Sequence, residues 1–255
     1  MYAIIAAGGI PLPEEPLYKM TRGISKALLE IAGKPMIQWV IDALSKSTNI
    51  QHVIVIGLPS DTGLHCTHPL SFLPAEGSVV ENVCAGVELL LQIDPKATHT
   101  LLISSDIPAL TCQIVDWMID NVTARKEDVF YSVVERSVME KRYPNSKRSY
   151  VRLKDIEVCG GDLHAIQPQI ARRDNPLWQQ IFNARKNAFK QASLIGMDTL
   201  LLLLLKRLSL QEGIAHINQR LGIHGKVLIS PYAEIAMDVD KPSQFEIMEK
   251  DLLNN

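Results

Sequence analysis

The sequence predicts an α/β fold built on a mostly parallel sheet. Three observations carry that prediction. Short apolar runs alternate with amphipathic ones in the order βαβαβαβ through residue 134. The runs have few polar interruptions, as strands covered on both faces require. The stretches between them repeat apolar residues at helical spacing.

Ile4-Ile5-Ala6 is the first expected strand, and Met36 to Ser47 the first amphipathic helix. His52-Val53-Ile54-Val55-Ile56 is the next strand, followed by a helix from Val79 to Gln92. Thr100-Leu101-Leu102-Ile103, a helix over Gln113 to Asn121, and Val129 to Val134 complete the regular part. From Glu135 to Asp155 the chain turns polar and rich in Arg, Lys and Ser. Residues 175–222 read as consecutive helices, and late strands are expected at Val227-Leu228-Ile229 and Ile235-Ala236-Met237. No linker rich in Gly, Ser or Pro divides the chain. The expectation is one domain over 1–255, with 1–134 as its first half and 135–255, carrying the helical insert, as its second.

Apolar residues make up 47% of the 255 residues and charged residues 21%, as in ordinary globular proteins. A net charge of -2, with no basic patch interleaved with aromatics, argues against a nucleic-acid partner. Cys66, Cys84, Cys112 and Cys159 form no CxxC zinc pattern. With no signal-peptide pattern, free thiols in the cytoplasm are expected. The run Leu200 to Leu205 ends at Lys206-Arg207, short of the roughly 20 apolar residues of a membrane span. A buried helix is the better reading, and Trp39, Trp117 and Trp178 also sit in apolar helical patterns. His65-Cys66-x-His68 has metal-compatible side chains but stands alone and is set aside as a zinc site.

The chemistry starts where the first strand stops, at Ala6-Ala7-Gly8-Gly9. In open α/β sheets ligands bind beyond the carboxyl ends of strands. Glycines there let the backbone turn sharply and approach a ligand, and successive N–H groups can cradle an anion. Lys26 adds a mobile positive charge suited to phosphate. The pattern is neither GxxxxGK[ST] nor GxGxxG, so a plain tight turn explains the glycines as well.

Ala6-Ala7-Gly8-Gly9, then Lys26-Ala27-Leu28-Leu29, then Gly33-Lys34-Pro35-Met36 before a helix, resembles the opening of MobA-like nucleotidyltransferases. The likeness is tight over residues 3–44 and weaker to about residue 110. It departs in lacking an arginine-methionine pair after the glycines and in its longer loop, where Arg22 could do that arginine's work. The resemblance implies a Rossmann-like three-layer sandwich of the GT-A type. It implies transfer of an NMP group from an NTP to a small phosphorylated or hydroxylated acceptor, such as a sugar phosphate or cofactor precursor, with release of pyrophosphate. Ala6, Ala7, Gly8, Gly9, Arg22 and Lys26 then become nucleotide-binding residues, and the loop Ile10 to Ser25 a lid.

The resemblance also implies a Mg2+ (or Mn2+) site. Asp106 follows the Thr100 strand and sits at the same sheet edge as the glycines, and it is expected as a catalytic metal ligand. Asp238 and Asp240, two apart before Pro242, share one face of an extended segment and supply the second carboxylate, with the choice between them open. A helix entry would explain the same acids. Ser78 and Asn82 are candidates for base or ribose contact, although Ser78 with Glu81 also reads as a capping box. Gly160, Gly161 and Asp162 are the candidate acceptor site, with a bulge or tight turn as the alternative. The basic stretch Lys141-Arg142-Tyr143, then Lys147-Arg148-Ser149-Tyr150, could grip a phosphorylated acceptor, with a solvated loop as the favoured alternative. Two rival functions stay in view: a nucleotide-sugar-dependent glycosyltransferase, whose DxD is replaced here by Ser104-Ser105-Asp106, and an inactive nucleotide-binding module.

Overall fold

A computed structural model describes residues 1–177 and 196–254. In chain order its elements begin with β1 (Tyr2–Ala6), a short α1 (Tyr18–Thr21), β2 (Glu30–Ile31), β3 (Lys34–Pro35), α2 (Met36–Lys46), β4 (His52–Ile56) and β5 (Leu70–Leu73). They continue through α3 (Val79–Ile93), β6 (Thr100–Ser104), α4 (Cys112–Val122), β7 (Val129–Glu135), α5 (Arg136–Arg142), β8 (Val151–Arg152), β9 (Glu157–Gly160) and β10 (Leu163–Ile166). The last described elements are α6 (Met197–Leu204), α7 (Leu210–Leu221), β11 (Gly225–Ser230) and α8 (Pro242–Leu253).

The main sheet runs β5-β4-β1-β6-β10-β7-β9-β8, with β11 also paired to β7. Pairs β5-β4, β4-β1, β1-β6 and β7-β11 are parallel. β10, β9 and β8 are the antiparallel part. Both faces are covered, which is why the strands read as continuous apolar runs. In β1, Ala3 and Ile5 pack into the cluster that holds Ile37, Ile41, Val115 and Met118 of α2 and α4. Ile4 points the other way, into the cluster of Val83, Val87 and Leu90 of α3. Ile4 and Ile5 are 2% and 0% exposed, and each such side chain stabilises the fold by about 1.5–3 kcal/mol.

The expected strands β1, β4, β6, β7 and β11, the helices α2, α3 and α4 and the mostly parallel core agree with the sequence expectation, while β2, β3, β5, β8, β9 and β10 are additional strands that it did not contain. Three expected features differ. Ile235-Ala236-Met237 is not a strand: Ala233–Ala236 forms a 3-10 turn. Its Ile235 carbonyl accepts from Asp162 N–H at 2.7 Å, so its backbone is spent on a loop of the neighbouring strands. A run of three apolar residues is equally compatible with a buried turn. The Leu200 to Leu205 run is helical but not buried, with Leu201, Leu204 and Leu205 at 57%, 79% and 54% exposed. Consecutive leucines circle the whole cylinder, and only one side can meet a partner. The polar stretch after Glu135 holds α5 and β8 rather than loop alone. Trp39 and Trp117 pack against the core. Trp178 and the insert's residues 178–195 lie outside the described residues. Among the described residues no helix is long and apolar enough to cross a membrane.

Candidate active site

The register of the parallel strands builds the site. Ala6 of β1 pairs with Ile56 of β4 and with Ser104 of β6, so three carboxyl ends finish level. The next residues of each strand therefore meet: Ala7-Gly8-Gly9, Gly57, and Ser105-Asp106. Gly57 has φ +102, and a Cβ there would lie 2.2 Å from Gly8 Cα. Only glycine lets these two turns touch. Sequence reading missed Gly57, although a glycine directly after the second strand was the available signal.

The long loop after the glycines folds back onto them. Ser25 Oγ donates to the Ala7 carbonyl at 2.7 Å, and Lys26 N–H donates to the Gly9 carbonyl at 3.0 Å. Leu17 and Thr21 in the loop are 2% and 1% exposed, so it is anchored in the core at its middle. It arches over a cavity of about 420 Å3, which Gly9, Pro11, Leu17, Lys26 and Asp240 help to line. Arg22 is exposed at the C-cap of α1 and takes no part in the ion pairs around Lys26.

Lys26 is the hub. Its Nζ contacts Asp106 Oδ2 and reaches Asp240 Oδ1 at 2.6 Å. Burial alone would lower its pKa, but Asp106 and Asp240 outweigh that and hold it well above the usual lysine value. Asp106 is 3% exposed, and its Oδ1 accepts from Ser104 Oγ. Thr111, not Asp106, caps α4 through its hydroxyl, so Asp106 is not engaged as a helix cap. Val239 N–H donates to the Asp106 carbonyl at 3.0 Å and locks the two acidic segments together.

Asp106, Asp238 and Asp240 each present a carboxylate oxygen within 4.8 Å of the others. Asp238 Oδ1 is buried and touches Arg148 Nη1 as an ion pair, yet it lacks a partner in hydrogen-bond geometry. An all-oxygen donor set with one buried, unsatisfied oxygen fits a hard divalent cation such as Mg2+. A fourth carboxylate borders the cluster. Burial, then Asp106, push the Asp162 carboxyl up to about 7, against the pull of Arg148.

Ser78 and Asn82 stand on the other side of the glycines. Ser78 caps α3 in a full capping box with Glu81. Asn82, 7% exposed, accepts from Glu76 N–H at 2.7 Å. Its Nδ2 lies 3.7 Å from where a Cβ on Gly8 would stand. Gly160 and Gly161 fall at the break between β9 and β10. The space a side chain would take at Gly161 is filled by Ser132 and Ile235, while Gly160 faces the Tyr131 hydroxyl. Arg148 was one residue of a basic stretch left open in the sequence. Its guanidinium holds Asp238 and donates Nη2 to the Gly160 carbonyl at 3.4 Å. The arrangement offers backbone donors and a lysine for phosphate and a carboxylate triad for a cation, with Gly160 and Asp162 beside Arg148 at its border.

Comparison with known proteins bears on this geometry. The family model described as MobA-like NTP transferase domain matches residues 14–211. It therefore spans Lys26, Asn82, Asp106 and Asp162 and stops short of Gly8-Gly9, Asp238 and Asp240. A hypothetical transferase structure from Thermus thermophilus is similar at 32% identity and TM-score 0.80, covering 96% of this chain and 98% of that one. A structure of CMP:2-keto-3-deoxy-manno-octonic acid synthetase complexed with CTP matches at 15% identity and TM-score 0.56, over 100% and 98% of the two chains. A 4-diphosphocytidyl-2C-methyl-D-erythritol synthase from Anaerococcus prevotii matches at 13% identity and TM-score 0.59, over 100% and 96%. These last two share the fold. A search of curated protein sequences found no match.

Proposed function

The chain belongs to the MobA-like NTP transferase family, a family of nucleotidyltransferases, and we propose that it transfers an NMP group from an NTP to a small phosphorylated or hydroxylated acceptor. The observation that carries this reading is the meeting of Lys26, Asp106, Asp238 and Asp240 beside Gly8-Gly9 at one sheet edge.

In the proposed reaction an acceptor oxygen forms a bond to the α-phosphorus, the bond from that phosphorus to the bridging oxygen breaks, and pyrophosphate leaves with its electrons. Such a transfer needs in-line positioning and charge neutralisation more than covalent help. Backbone N–H groups of Gly8 and Gly9 bind and orient the phosphates, since the Ala7 N–H already donates to the Ile56 carbonyl at 2.8 Å. Lys26 stays protonated and meets the charge that grows on the leaving pyrophosphate. Asn82 lies against the glycine turn, where base or ribose would rest. Asp106, Asp238 and Asp240 would hold Mg2+ (or Mn2+), which supplies Lewis-acid polarisation of the phosphoryl oxygens when bound. Gly160 and Asp162 form the rim on which the acceptor sits. The loop 10–25, roofing the cavity, excludes water that would hydrolyse the NTP.

The test is pyrophosphate release from each of the four NTPs, with panels of sugar phosphates, polyol phosphates and cofactor precursors. Acceptor-dependent release supports the reading. Release of a nucleoside diphosphate from a nucleotide sugar would favour a glycosyltransferase instead.

A further inference from the structure

We propose that Arg148 is a specificity-determining residue that receives an anionic group, phosphate or carboxylate, carried by the acceptor. The inference rests on the nucleotidyltransferase reading and sharpens its acceptor class.

Two cations meet the acidic cluster. Lys26 comes from the nucleotide half, bonded to Gly9 through its backbone, and faces Asp106 and Asp240 on the phosphate side. Arg148 comes from the second half and touches Asp238 and Gly160 instead. Its loop is not a free solvated strand of chain. Tyr143 and Ser146 are each 2% exposed, and the Tyr143 hydroxyl donates to Asp251 at 3.0 Å. Tyr150 packs against the core. The guanidinium is thus delivered in a fixed place, with its side chain 16% exposed.

The placement is under-used in two ways. Arg148 Nε is buried and unsatisfied among the described residues, with the Cys159 thiol as the guanidinium's other neighbour. Nη2 meets only a peptide carbonyl, at a long 3.4 Å. A guanidinium offers five donors in a fork that fits a carboxylate or phosphate edge. Asp238, its carboxylate ion-pair partner among the described residues, also belongs to the oxygen triad, and Asp162 feels the same guanidinium. When Asp238 gives its charge to a divalent cation, the guanidinium is left beside Gly160 and Asp162 without a full counter-charge, and a buried cation in that state is costly. An acceptor anion at this rim replaces what Asp238 withdraws. A neutral polyol does not. Arg148 thereby couples acceptor choice to an assembled cation site.

The experiment measures thermal stability of the full chain saturated with its preferred NTP and Mg2+, then titrated with inorganic phosphate, acetate or glycerol. Wild type, Arg148→Gln and Arg148→Lys are compared. The expected result is a further stabilisation by phosphate or acetate and none by glycerol. Its half-saturation rises about tenfold or more in Arg148→Gln and less in Arg148→Lys, since a bond to a charged group is worth that much. Whichever of phosphate and acetate acts at lower concentration identifies the anion. An anion shift of unchanged half-saturation in Arg148→Gln overturns the assignment, as does glycerol acting as well as the anions. A normal nucleotide shift with no anion effect overturns this inference alone, and absence of any nucleotide shift in the wild type overturns it together with the proposed function. Arg148→Lys keeps a charge against Asp238, so it separates loss of the anion fork from loss of folding.

Discussion

The backbone N–H of Val239 donates to the carbonyl of Asp106 at 3.0 Å. That bond ties the end of β6 to the segment before α8, across 133 positions of sequence (239 - 106). Asp238 and Asp240 flank Val239, so both are brought to Asp106 by one contact. Fixed carboxylates of this kind bind a cation without paying reorganisation at the moment of reaction.

Replacing Lys26 by Ala should lower turnover by about 10²–10³ or more, as loss of a charge-stabilising donor does. It also leaves Asp106, 3% exposed, facing Asp240 with no cation between them. The variant should therefore be less stable than wild type in metal-free buffer and recover part of the loss when Mg2+ is added. Steady-state pyrophosphate release and melting curves with and without Mg2+ read both effects.

Asp106→Asn should keep the fold, because Ser104 and Lys26 can still meet an amide, and should raise the Mg2+ concentration needed for activity. A Mg2+ titration of pyrophosphate release checks it. An unchanged requirement would remove Asp106 from the ligand set.

Gly57→Ala should be among the costliest single-methyl changes in the protein. The new Cβ would stand 2.2 Å from Gly8 Cα at φ +102. Backbone strain of this kind costs on the order of 1–3 kcal/mol, and the overlap adds to it. Urea melts should show the loss, and nucleotide affinity should fall with it because Gly8 must move.

Ser78→Ala and Asn82→Ala should separate cap from ligand contact. Ser78 is committed to the capping box of α3, so its loss should cost about 1 kcal/mol of stability with nucleotide affinity unchanged. Asn82→Ala should weaken nucleotide binding. Calorimetric titration of each variant with the preferred NTP distinguishes the two.

Two buried groups set opposite pH slopes in metal-free buffer. Asp162 titrates at about 7 when folded and near 3.9 when unfolded. Its proton is favoured in the fold, so its stabilisation is present below pH 4 and is lost as pH rises to 7. Burial pushes His164 down to about 4, against an unfolded value near 6.5. The unfolded chain takes that proton first, so stability falls as pH drops from 6.5 to 4. The two windows overlap, so the slopes offset each other in the wild type; Asp162→Asn should leave stability rising from pH 4 to 6.5, and His164→Gln should leave it falling from pH 4 to 7. Melting temperatures from pH 4 to 8 measure both slopes.

In the first half β1, β4 and β6 were legible because they are mostly buried on both faces and α2, α3 and α4 because they are buried on one, whereas β5, partly exposed throughout, left no such run. Gly8 and Asp106 were legible for a related reason: they follow strands that the pattern places level, whereas Lys26 lies on the short turn Lys26–Leu28 and was marked by its charge and the family resemblance. Arg148 was legible only as one residue of a basic stretch, because its placement depends on a loop pinned by Tyr143 and Ser146, whose burial leaves no periodic trace. Gly57 needs its distance to Gly8, which no local pattern contains. Leu200 to Leu205 misled because hydrophobicity without a stripe does not say which side has a partner.

The most direct test of the central claim is thermal stability against ATP, GTP, CTP and UTP, each with and without Mg2+. A ligand at 100 times its dissociation constant adds about 2.7 kcal/mol. The account predicts strong stabilisation by at least one nucleotide, dependent on Mg2+ and lost in Lys26→Ala. Absence of a shift with all four nucleotides, in the presence of Mg2+, would contradict it.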